Sequence, residues 1–162
     1  MAFTPIDIHV EYELLHNLSI YKYARDVLMP PAVDYFKYTL KVQSKGSISI
    51  FDETSLCDLE VNERYLEYPI KGDLIILMTA DSHPDATYVA YAEPCGIASN
   101  GRPLVAHVFI NTAQINPDDE DLNEHTNYYI QVMLHELIHA LGFSSAFFPS
   151  YPGAEYDNVT YQ

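Results

Sequence analysis

Near its carboxyl end the chain reads VMLHELIHALGFSS, residues 132–145. Apolar residues Ile130, Met133, Leu134, Leu137 and Leu141 recur three and four apart, which predicts an amphipathic helix from about Asn127 to Leu141. Gly142 is its expected stop, because glycine accepts the left-handed conformation at a helix end. Within the helix, His135 and His139 stand four residues apart and so lie one above the other on one face. Two imidazoles in that relation can reach a single metal ion about 2.0–2.1 Å from each. Glu136 is offset around the helix, where its carboxylate meets a metal-bound water more readily than the metal. The competing reading is a polar surface stripe. Against it, the two histidines flank Leu137 and Ile138 in one of the most apolar stretches of the chain, and imidazoles buried without partners cost free energy.

This His-Glu-x-x-His spacing on a helix is the arrangement of a zinc peptidase. Zinc lowers the pKa of a bound water toward about 7. Glu136 is then the general base that takes its proton and the acid that returns it to the leaving amine, while the metal polarises the peptide carbonyl. A catalytic zinc uses three protein ligands, and this stretch supplies two. In one version of the motif a third His follows six residues after the second; that position is Ser145 here, a poor ligand. Glu155 and Asp157 are alternative downstream donors. His107 is conceivable from the upstream chain, but it, His9, His16, His83 and His125 read better as surface or satisfied core histidines.

The remaining pattern is strand, helix, mostly strands, then helix, which indicates an α+β layer structure. Residues 5–12 alternate Ile6, Ile8, Val10, Tyr12 as a half-buried strand does. Pro30 and Pro31 predict a short helical piece before them and a main helix from about Pro31 to Val42, with Val33, Phe36 and Leu40 as its apolar stripe. Residues 47–52, 73–80, 87–93 and 104–111 complete five expected strands. DLIILMTA, residues 73–80, is the near-continuous apolar run of a strand covered on both faces. Residues 53–72 read as a long irregular connection, and 116–127 as an acidic loop.

The chain has 162 residues, enough for one domain, and 48% of them are apolar. A formal net charge of −15 repels phosphate backbones and excludes nucleic acid as a natural partner. No apolar run approaches the roughly 18 residues of a membrane span. Charged residues scattered through the first 30 positions exclude a signal peptide there, so any secretory segment is expected outside this chain. The sequons at Asn17 and Asn158 are weakly consistent with an extracellular location.

HELIHALGFS, residues 135–144, resembles the active-site helix of the leishmanolysin family of surface metallopeptidases, which are built as metzincins. GDLIILMTA (72–80), AYAEPC (90–95), GRPLVAHVFIN (101–111) and VLMPPAVDYFKYTLKV (27–42) resemble further family stretches in the same order. The resemblance implies a metzincin-type upper subdomain over residues 1–162, with a twisted mixed sheet of about five strands, a backing helix and the active-site helix. It implies Zn²⁺ as cofactor, protein or peptide substrates, and a secreted or cell-surface location. It places the third ligand, a methionine turn and a lower subdomain after a long insertion, so the chain is expected to be a fragment. It further implies that Cys57 and Cys95 pair, that Gly142 turns the chain beneath the metal, and that residues 104–111 form the edge strand of the cleft, with Val105, His107 and Phe109 against substrate. The alternative from another class is a catalytically incomplete relative that serves as an adhesion or binding surface.

Overall fold

The computed structural model describes residues 2–50, 56–115 and 122–151. Its centre is a four-stranded mixed sheet of order β2-β6-β8-β7, formed by β2 (Ile8–Glu11), β6 (Leu74–Asp81), β8 (Pro103–Asn111) and β7 (Ala90–Ile97). The first three are parallel, and β7 runs antiparallel to β8. Parallel strands are covered on both faces, and Leu74 to Met78 are buried without interruption, as the apolar run predicts. Two short antiparallel ladders flank this sheet. One pairs β1 (Thr4–Pro5) with β3 (Lys41–Val42), and the other pairs β4 (Ser47–Ile48) with β5 (Ile70–Lys71). The strand expected at 47–52 therefore leaves the main sheet, and that sheet has four described strands instead of five. Residues 51 and 52 lie outside the described residues, as do 53–55 of the expected connection. The rest of that connection carries α3 (Arg64–Glu67).

The two prolines do not interrupt the backing helix. Residues 20–39 are helical throughout: α1 (Ile20–Tyr23), a π-helical turn (Ala24–Leu28) and α2 (Met29–Thr39) follow one another directly. The widened turn explains why. Met29 N–H reaches back five residues to the Ala24 carbonyl, and the prolines enter at the first positions of α2, where the helix needs fewer donors. The face formed by Ile20, Ala24, Leu28, Met29, Ala32 and Phe36 is buried. It packs with Ala106, Val108 and Ile110 of β8 and with Met133, Leu137 and Ala140 of the last helix, α4 (Leu122–Ala140). That helix begins earlier than the expected 127, so part of the predicted acidic loop is helical; residues 116–121 lie outside the described residues.

The opposite face of the sheet has a second, smaller core. Ile75, Leu77 and Val105 meet Ile48, Ile50, Leu56 and Tyr65 there. Cys57 and Cys95 are joined by a disulfide, as expected, with their Cα atoms 5.2 Å apart and 38 residues between them in sequence. Cys95 is the extra residue of a bulge, because Pro94 pairs with Ala106 and Gly96 with Val105. A bulge re-aims one side chain, and here it directs Cys95 toward the loop that the bridge closes. Cys57 and Asp58 both have positive φ, at 61° and 53°.

One expectation fails on sheet order. Residues 104–111 are not at an edge: β8 is interior, with β6 on one side and β7 on the other. The antiparallel edge belongs to β7. Its Pro94 is the sequence signal for this, since proline in a sheet is confined to edges and bulges.

Candidate metal centre

The packing of α4 sets the orientation of the site. Met133, Leu137 and Ala140 face the sheet, which turns Glu136 toward β7 and leaves His135 exposed and His139 half-buried. The two imidazole planes are nearly perpendicular, at 87°, with ring centroids 4.6 Å apart. Their Nε2 atoms converge to 3.0 Å. Two nitrogens at zinc-ligand distance from one ion, at a tetrahedral angle, stand about 3.3 Å apart, so the pair fits a shared cation.

The helix end fixes which nitrogen of His139 is available. Gly142, with φ at 100°, carries the chain into a Schellman turn: Gly142 N–H bonds the His139 carbonyl at 2.9 Å and Phe143 N–H bonds the Ile138 carbonyl at 3.2 Å. That turn places the Phe143 carbonyl 2.8 Å from His139 Nδ1. A carbonyl only accepts, so Nδ1 carries the proton and, in the neutral ring, Nε2 keeps a bare lone pair directed at His135.

Glu136 is 7% exposed. Burial pushes its carboxyl above the usual carboxylate range, while positive charge on His135 or His139 and a hydrogen bond from the Ala92 N–H of β7 oppose the shift. The result is a carboxylate that holds a proton more readily than a solvated glutamate, standing between α4 and β7.

Among the described residues, no third His, Cys, Asp or Glu joins this pair. Glu155 and Asp157 lie outside them. The other histidines engage elsewhere: His9 with Glu11, His16 against the Tyr21 ring, His83 with Tyr88, and His125 against the Tyr129 ring. Val105, His107 and Phe109, expected against substrate, are on the sheet face away from α4. Val105 is in the smaller core, and Phe109 stacks on Tyr91. His107 Nε2 lies 2.5 Å from Thr79 Oγ1. Burial lowers the His107 pKa, and Glu93 opposes that shift.

The groups that sequence reasoning missed are the Phe143 carbonyl and the Ala92 amide. Both belong to the backbone, and no side-chain pattern marks them.

A family model described as Leishmanolysin matches residues 21–156. A leishmanolysin homolog of Crithidia fasciculata is 30% identical over 123 residues, which cover 75% of this chain and 18% of that protein. The leishmanolysin of Leishmania major is 28% identical over 124 residues, covering 75% and 20% respectively. A ciliated left-right organizer metallopeptidase of Xenopus laevis is 40% identical over 63 residues, 39% of this chain and 8% of that protein. The chain thus spans a fifth or less of the length of these curated relatives.

Proposed function

The chain belongs to the leishmanolysin family of metallopeptidases, and on that premise we propose that it forms the upper subdomain of a zinc metalloendopeptidase. His135 and His139 hold the metal through Nε2, and a third donor comes from outside the described residues. The observation that carries this reading is the convergence of the two Nε2 atoms to 3.0 Å, with the His139 proton held on the far nitrogen. Zinc, when bound, supplies a Lewis acid for the scissile carbonyl and lowers the pKa of a coordinated water. Glu136 takes a proton from the attacking water and returns it to the leaving amine; burial, by raising its pKa, makes it a better proton acceptor than a solvated glutamate. Among the described residues no strand pairs with the outer side of β7, and its backbone groups other than the Ala92 amide offer donors and acceptors to an extended peptide, which sets substrate beside Glu136.

A secreted or cell-surface location is supported by the disulfide, which persists in oxidising compartments. No helix among the described residues is long and apolar enough to cross a membrane.

The test is Glu136→Gln in the full-length protein. Zinc content is expected to persist while peptide hydrolysis falls by about 10²–10⁴-fold, the usual contribution of a general acid–base group. Undiminished hydrolysis would contradict the role given to Glu136. A wild-type protein that binds no zinc and cleaves nothing would favour the non-catalytic, adhesive relative.

A further inference from the structure

We propose that Tyr151 is a positioning residue for His139, acting through the turn that ends α4. Its purpose rests on the zinc reading of His139, but the chain of contacts does not. Tyr151 lies at the end of the loop that leaves the helix, and its hydroxyl donates to the Gly142 carbonyl. The same carbonyl accepts from Ser144 N–H at 2.8 Å. The Tyr151 ring stands against Phe143 and Phe148, with centroids 6.3 and 5.6 Å away. Tyr151 thus ties the loop back over the peptide unit that links Gly142 to Phe143.

The turn is also held from beneath. A Cβ at position 142 would meet Pro103 Cγ at 3.1 Å, so the glycine sits directly on the start of β8. Held between Pro103 and Tyr151, the turn keeps the Phe143 carbonyl 2.8 Å from His139 Nδ1. That contact has a chemical consequence. A free neutral histidine prefers its proton on Nε2. The Phe143 carbonyl reverses the preference and leaves Nε2 bare toward His135. If the turn loosens, the proton returns to Nε2, and the group facing His135 becomes a donor instead of a ligand.

The measurement needs no metal. In the full-length protein carrying ¹⁵N-labelled histidine, stripped of metal and held about two pH units above the ordinary imidazole value, long-range ¹⁵N–¹H correlations report the tautomer of each ring. Wild-type His139 is expected as the Nδ1–H form. Tyr151→Phe keeps the ring and removes only the hydroxyl; it is expected to raise the Nε2–H population of His139 at least about twofold. Zinc affinity, measured by competition with a chelator, is expected to fall about tenfold, the low end for an outer partner of a metal ligand. Tyr35→Phe, at an exposed tyrosine of α2, is expected to change neither.

An unchanged His139 tautomer in folded Tyr151→Phe would overturn the proposal. So would a wild-type His139 already in the Nε2–H form, a result that requires no variant to fold. A tautomer response in a full-length protein that binds no zinc would uphold the positioning role and remove the zinc reading. Zinc binding with no tautomer response would do the reverse.

Discussion

The two faces of the central sheet treat histidine in opposite ways. On the face away from α4, His107 is 6% exposed and its ring is fully engaged. Nε2 meets Thr79, Nδ1 faces Glu93 Oε1 at 3.8 Å, and Tyr91 stands edge-on with its centroid 5.8 Å away. On the helical side, His135 and His139 point their Nε2 atoms at each other, and the outer nitrogen of His139 is held by a backbone carbonyl. Two bare lone pairs facing each other repel unless a proton or a cation lies between them. The buried histidine is thus the one occupied by its own fold, while the pair on α4 is exposed or half-buried. What distinguishes the α4 pair is that the two Nε2 atoms are aimed at each other 3.0 Å apart, close enough for one ring to donate to the other or for both to share a cation.

The comparison breaks most directly if the histidines prove interchangeable. His139→Ala is expected to reduce zinc affinity by more than about 100-fold, since changing even an outer partner costs about 10–100-fold. His107→Leu is expected to leave zinc affinity in place. Competition with a chelator measures both, and equal losses would erase the distinction.

The second test addresses what holds the face of His107 together. The Cys57–Cys95 bridge closes the loop over Val105 and Leu77, and replacing both cysteines with serine is expected to lower unfolding free energy by about 2–4 kcal/mol in urea. An unchanged midpoint would show that the loop packs without its bridge.

The smallest expected effect is pH dependence at His107. Burial lowers its folded pKa below the ordinary value of about 6.5. The unfolded chain then binds more protons in the window beneath 6.5, so His107 costs the fold stability as pH falls through that window and costs nothing above it. His107→Gln, compared with wild type by thermal unfolding across this window, is expected to show a shallower acid loss. Parallel curves would mean that Glu93 offsets the burial completely.

Much of this was legible in the residues themselves. The helix of the histidines, its glycine stop and the doubly buried strand at 73–80 follow from local periodicity. The order of elements follows from the same periodicity, and the disulfide from family resemblance. The proline pair misled, because a π turn absorbs in three dimensions what a straight helix cannot, and no residue between Ala24 and Leu28 announces it. The run at 104–111 was assigned to the edge although its apolar continuity matches that of β6. Pro94 in β7 was the better guide.

The amino-acid sequence by itself determined that His135 and His139 share a helical face with Glu136 beside them, because 3.6 residues per turn is a property of the local backbone. Tertiary structure alone decided that the Ala92 amide reaches Glu136 and that Phe143 and Tyr151 orient His139. Those contacts use backbone groups, which are the same at almost every position in the chain; only the path of the fold selects which of them meet a given side chain.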